Sequence, residues 1–180
     1  NDQVYNYGKI EEDDTTSKTS LRAYGALVNK GTFVNYGDIK LANSLNPDFA
    51  KNVTTADMDK VNVGIRANNL DRTKTIIKNY GDIKIGDNSA TSTTTAKNIG
   101  SWAIYGYNVT TGKKADGKNS NIVINRNSYG IFSGDGNVDI QGTKLFVGND
   151  TVLGHEKTMT GLASTTNPGA YPINRQTAYT

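Results

Sequence analysis

The sequence predicts an all-β chain folded as a right-handed parallel β-helix (solenoid) of about four coils with loop insertions. Three observations carry that expectation. Asn-Tyr-Gly followed by a charged and an apolar residue returns three times, as NYGKI at 6–10, NYGDIKL at 35–41 and NYGDIKI at 79–85. A short unit that recurs in this way marks a stacked-repeat architecture. Two longer stretches, 24–41 and 63–85, each lay out three short β-like runs in the same order, the number expected of one β-helix coil. Within the runs, apolar and polar residues alternate with the period of a half-buried strand.

Taken in order, the first runs are 25–28 and 64–67, the second centre on Phe33 and Ile77, and the third are 38–41 and 82–85. In the third runs Ile39, Leu41, Ile83 and Ile85 point inward and Lys40 and Lys84 point to solvent. Stacking places Ile10, Ile39 and Ile83 in one inward column, with Val138 as its next candidate. Ala26, Ile65, Tyr107 and Ile131 form a second column. Equivalent residues of successive coils then lie about 4.8 Å apart. So narrow a core can be filled by a chain with only 35% hydrophobic residues.

At the corners, Asn and Gly tolerate the bends between strands, and Asn stacked on Asn can form a side-chain amide ladder. Asn35, Asn79, Tyr36 and Tyr80 therefore read as architectural. The alternative for the tyrosines is an exposed aromatic stripe for sugar stacking. Tyr7 to Tyr36 is 29 residues and Tyr36 to Tyr80 is 44, so loops of unequal length must leave the coils. The insertions are 42–62 and 86–102 after the third strand and 110–120 at another corner, together rich in Thr, Ser, Asn and Gly. Exposed connections have that composition.

The length of 180 residues fits one domain. No run of more than four apolar residues occurs, so neither a membrane-spanning helix nor a signal peptide is expected. A short stack would leave open strand edges, and the chain starts with Asn, which points to a segment of something longer. The absence of cysteine excludes a disulfide scaffold and a Cys-based metal site. The net charge of +3 arises from 20 basic and 17 acidic residues spread along the chain. A nucleic-acid partner would want a concentrated basic face and is not expected.

Catalytic signatures are also missing. The single histidine, His155, lies in HEKT rather than HExxH, and no GxSxG, Walker A or dinucleotide fingerprint is present. SGDGN at 133–137 precedes a strand pattern, whereas a phosphate cradle needs a helix N-terminus. Asp38 and Asp82 open equivalent strands and should stack on neighbouring coils, closer than an inverting glycosidase pair requires. The GGxGxD calcium repeat does not occur, although the loop 135–139 leaves room for a single ion. No catalytic residue, metal ligand or cofactor is assigned.

The GALVN and NYGDI strands, the abundance of Asn, Thr and Gly, the lack of Cys and the irregular insertions resemble the passenger region of Gram-negative autotransporter (type V secretion) adhesins. The resemblance covers residues 4–154, where NYGDIKIG and GNVDIQG are similar to the NxG-type motifs of such repeats. It implies a β-helical passenger segment over 1–154, with 155–180 an irregular cap or linker or the start of another unit. It also implies a cell-surface or extracellular location and a tether to the outer membrane through a C-terminal barrel that lies outside this chain. The expected function is that of an adhesin or interaction segment binding a host-cell or bacterial surface protein or glycan. Its contacts are expected in the three insertions, at Phe49, Trp102, Tyr107, Lys113 and Lys114. Trp102 has core anchoring as its equal alternative, and Tyr107 belongs first to the core column. A structural spacer without its own ligand and a polysaccharide-active β-helix enzyme are the competing readings.

Overall fold

The computed structural model describes residues 2–12, 19–20, 23–44, 62–68, 72–86, 101–124, 129–133, 136–147 and 171–174. Its strands follow a three-part cycle. The first coil holds β1 (Gln3–Asn6), β2 (Ile10–Glu11), a short β3 (Thr19–Ser20) and β4 (Tyr24–Val28). The second holds β5 (Gly31–Asn35), β6 (Ile39–Leu41), β7 (Asn43–Ser44) and β8 (Val63–Ala67). A 3-10 turn at Arg72–Lys74 leads into the third, β9 (Thr75–Asn79), β10 (Ile83–Ile85) and β11 (Trp102–Tyr105). The fourth is β12 (Asn108–Thr111), β13 (Ser120–Ile124) and β14 (Tyr129–Phe132), and the fifth is β15 (Val138–Ile140), β16 (Thr143–Val147) and β17 (Tyr171–Asn174).

Three five-stranded sheets result, in the orders β1-β5-β9-β12-β15, β2-β6-β10-β13-β16 and β4-β8-β11-β14-β17. Every pairing in them is parallel. The chain is a parallel β-helix, and it has five coils among the described residues rather than about four. The count is hard to read in sequence because the fourth and fifth corners, Thr111-Gly112 and Ile140-Gln141-Gly142, both lack the Asn-Tyr-Gly signature. The third strand of the fifth coil lies within 155–180, the segment expected to be irregular. Tyr171–Asn174 pairs with β14 and is the last strand of its sheet among the described residues.

The inward columns follow from register. Ile10, Ile39, Ile83, Ile122 and Leu145 stand above one another in the second sheet. Val138 belongs instead to the first sheet, in the column Val4, Phe33, Ile77, Val109, Val138. In the third sheet the column is Ala26, Ile65, Ile104, Ile131, so Ile104 holds the place expected for Tyr107. The reason is that Tyr105-Gly106 ends its strand, whereas Tyr24-Gly25 begins one; the counterpart of Tyr24-Gly25-Ala26 is Trp102-Ala103-Ile104. The middle residue of that triplet must be small because a Cβ on Gly25 would sit 2.7 Å from Ile39 Cγ2, and one on Gly64 3.0 Å from Ile83 Cγ2.

Ile65, Ile77, Ile83, Ile104, Ile122, Ile124 and Ile131 are fully buried in one continuous cluster. Each such side chain contributes about 1.5–3 kcal/mol through removal from water. A second apolar cluster gathers Val63, Trp102, Tyr105, Tyr129 and Phe132, with Tyr24 against it. These residues flank the inward pair of each third-sheet strand, and their rings are packed on one another rather than on the isoleucine columns.

Candidate functional site

Register also builds a regular exposed feature among the described residues. The pairing of β1, β5 and β9 puts Asn6, Asn35 and Asn79 directly above one another at the ends of their strands. The Nδ2 of Asn6 donates to Oδ1 of Asn35 at 2.7 Å, and the Nδ2 of Asn35 donates to Oδ1 of Asn79 at 2.7 Å. The same amides donate to the carbonyls of Gly8, Gly37 and Gly81 two residues on, at 3.0, 2.8 and 2.8 Å. Asn35 and Asn79 are fully buried, where an unmade hydrogen bond costs about 1–3 kcal/mol. The amide ladder thus holds each corner to the one below it.

A corner fixed in this way projects its next residue outward. Tyr7 and Tyr36 stack with centroids 5.2 Å apart and planes 6° from parallel, and Tyr36 and Tyr80 repeat the contact at 5.2 Å and 22°. Tyr5 extends the series beside Tyr7 at 6.1 Å. Tyr36 has a ring on both faces and still exposes 40% of its surface, so what it presents is its outer edge. The series ends below Tyr80, where Thr111 replaces the asparagine and Gly112 the tyrosine. A Cβ on Gly112 would come within 2.8 Å of the Tyr80 ring, so the last ring lies on glycine backbone.

Charged groups line the same corner. Lys9 and Lys40 both reach the Glu11 carboxylate, Lys40 at 2.9 Å. The hydrogen bond from Lys40, with that from Lys9 second, pulls the Glu11 pKa down to about 2. One rung lower, Asp82 accepts from the backbone amide of Asn121 at 2.7 Å and from its Nδ2 at 3.2 Å, and it forms an ion pair with Lys114. That bond, with further help from Asp38 and Asp116, raises the Lys114 pKa above its ordinary value.

The expected contact residues do not come together at one place. Phe49 lies outside the described residues, as do 45–61 and 87–100 of the first two insertions. Trp102 is 3% exposed, stacks on Tyr129 at 4.1 Å and meets Phe132 edge-on at 5.1 Å, the packing of an anchor. Tyr107 is half-buried at the turn between β11 and β12, against Gly136, where a Cβ would approach its Cγ to 2.9 Å. Lys113 and Lys114 open the third insertion, which is a tight turn: Lys114 N donates to Lys118 O and Gly117 N to Lys114 O, both at 2.9 Å. Gly117 has φ +79°, the left-handed residue such a turn needs. Lys113 is exposed, whereas Lys114 is held by Asp82. Of the expected carboxylate stack, Asp38 Oδ1 accepts from the Asp82 amide at 3.4 Å, and the Asp82 carboxylate is engaged as described. Asp135 of the 135–139 loop lies outside the described residues.

The tyrosine ladder was legible as a repeat in the sequence. Its exposure was offered only as the alternative to an architectural role, and Tyr-Gly alone does not decide it, since Tyr105 and Tyr129, each also followed by glycine, are buried. No family model, curated protein or solved structure matches the chain.

Proposed function

We propose that the chain is an interaction segment of a cell-surface adhesin, a rigid β-helical rod of the autotransporter-passenger type. In this reading it is tethered to the outer membrane of a Gram-negative bacterium by a barrel outside this chain, and it binds surface glycans of host or bacterial cells. The observation that carries the binding role is the tyrosine ladder, in which Tyr36 keeps 40% exposure with rings on both faces. Stacked tyrosines lose little entropy on contact, because their rings are already held, and they offer hydroxyls and positive ring edges. With Lys9, Asp38 and the Glu11–Lys40 pair beside them, they suit a ligand rich in hydroxyl groups.

One observation favours a second reading. The ring faces, which would carry sugar stacking, lie against each other, and a ladder serving only to lock the coils would look the same. A spacer that lifts a distal binding domain away from the cell needs nothing more.

The discriminating experiment is binding of the folded chain to a glycan array and to intact host and bacterial cells, with a Tyr7→Ser/Tyr36→Ser/Tyr80→Ser variant checked for β-structure by circular dichroism. Saturable binding by the wild type that this variant loses assigns recognition to the ladder. Retained binding moves recognition to the insertions, and absence of binding by the wild type leaves the spacer.

A further inference from the structure

The ladder holds reactive groups side by side as well as recognition groups. Tyr36 lies between Tyr7 and Tyr80, with each centroid 5.2 Å away and the planes within 6° and 22° of parallel. These neighbours belong to the coils above and below, 29 and 44 residues away in sequence. Tyr36 N donates to Asn6 O and Tyr80 N to Asn35 O, so the three corners repeat one backbone geometry and like atoms of successive rings lie over one another. The carbons ortho to the hydroxyls are therefore neighbours across the stack.

Access distinguishes this stack from the other aromatic contacts. Tyr36 is 40% exposed and Tyr80 is half-buried, which puts outer ring edges within reach of water and of a dissolved oxidant. Tyr105 and Tyr129, by contrast, stack on Phe132 and Trp102 in the second apolar cluster and are buried. The chain has no cysteine, so a disulfide cannot tie one coil to the next.

We infer that the ladder is a cross-linking site, at which a peroxide-driven one-electron oxidant joins Tyr36 to a stacked neighbour as dityrosine and so bonds two successive coils. Each phenol gives up one electron to the oxidant and its hydroxyl proton to water. The two radicals combine at ortho carbons, forming a carbon–carbon bond, and the ring hydrogen at each joined carbon then moves to oxygen, which restores both phenols. The net change is the loss of one hydrogen atom from each ring, and these reduce one peroxide to two waters. The bond closes a loop of 29 or 44 residues and restricts the unfolded chain as other cross-links do. This goes beyond the adhesive role and stands without it.

The test treats the dilute full chain with a haem peroxidase and limiting hydrogen peroxide, follows dityrosine fluorescence, and maps the product by trypsin digestion and mass spectrometry. The expected product is a monomer in which peptide 31–40, which carries Tyr36, is joined to 79–84 or to 1–9 with the loss of two hydrogens. Its yield is expected to exceed that from the urea-unfolded chain by about tenfold or more, because the folded corner holds the rings together. Tyr36→Phe keeps a ring in the stack and loses the bridge. The bridged wild type unfolds at a higher urea concentration than the untreated chain. Absence of dityrosine, a bridge that leaves out Tyr36, linkage between molecules alone, or equal yield from folded and unfolded chain overturns the proposal. If Tyr36→Phe lacks β-structure by circular dichroism, the peptide map of the wild type decides by itself.

Discussion

Asn35 donates through Nδ2 to Oδ1 of Asn79, 44 residues away in sequence and one coil away in space, at 2.7 Å. The bond joins two corners whose backbones are already paired, Tyr80 N donating to Asn35 O at 2.7 Å. Side chain and backbone thus specify the same register twice, a device that suits a chain whose loops vary in length.

Asn35→Ala removes an acceptor for Asn6, a donor to Asn79 and a donor to the Gly37 carbonyl. Because the site is fully buried, the loss is expected to be about 2–4 kcal/mol. Urea unfolding followed by circular dichroism checks it. The midpoint should fall at unchanged slope, and a loss below about 0.5 kcal/mol would deny the ladder a role in stability.

Gly81→Ala and Gly117→Ala separate two reasons for glycine. At Gly81 the added methyl meets the Gly37 carbonyl oxygen, while at Gly117 nothing lies within 4 Å and only the φ of +79° is unfavourable. Left-handed backbone costs an alanine about 1–2 kcal/mol. Gly81→Ala is expected to exceed that, since backbone of two coils must separate. Thermal midpoints of the two variants side by side decide the order.

Glu11 gives the coil an acid-sensitive contact. Its carboxylate is held at about 2 instead of 4.5 by the hydrogen bonds from Lys40 and then Lys9. A depressed acid favours the folded state fully above the ordinary value of 4.5, and that contribution fades as pH falls through about 2. Between those limits the urea midpoint of wild type should drop more steeply than that of Glu11→Gln. Salt at about 1 M should narrow the difference, because the pair is partly open to solvent. Parallel pH profiles for the two proteins would contradict the assignment.

Trp102 is the only tryptophan and is stacked on Tyr129 in the second apolar cluster. Its fluorescence should be blue-shifted in the native state, resist acrylamide quenching and move to the red on unfolding. Trp102→Ala should cost about 3–5 kcal/mol. A native spectrum already at the red, water-exposed position would return Trp102 to the set of surface contacts.

The short distance between cause and pattern explains why the fold was readable. An alternating strand with Ile39 and Leu41 in and Lys40 out can be recognised from a few residues, and three copies of the Asn-Tyr-Gly corner show that such strands stack. The amide ladder followed from the same repeat. The coil count fell short because the fourth and fifth corners both lack Asn-Tyr-Gly. The second column slipped at Tyr107 because Tyr-Gly can either begin a strand or end one. Val138 was misplaced because Gly136-Asn137 leads into a first-sheet strand, whereas Gly37-Asp38 and Gly81-Asp82 lead into second-sheet strands.

Alternation, composition and recurrence, each a local property of the chain, were enough to establish a parallel β-helix with asparagine corners. Tertiary structure decided which tyrosines face solvent and which are buried with Trp102, and how Lys114 meets Asp82 across 32 residues. Those outcomes depend on register between coils separated by insertions of unequal length. No residue carries that register alone, because it is the pairing of whole strands that sets what lies above and below each side chain.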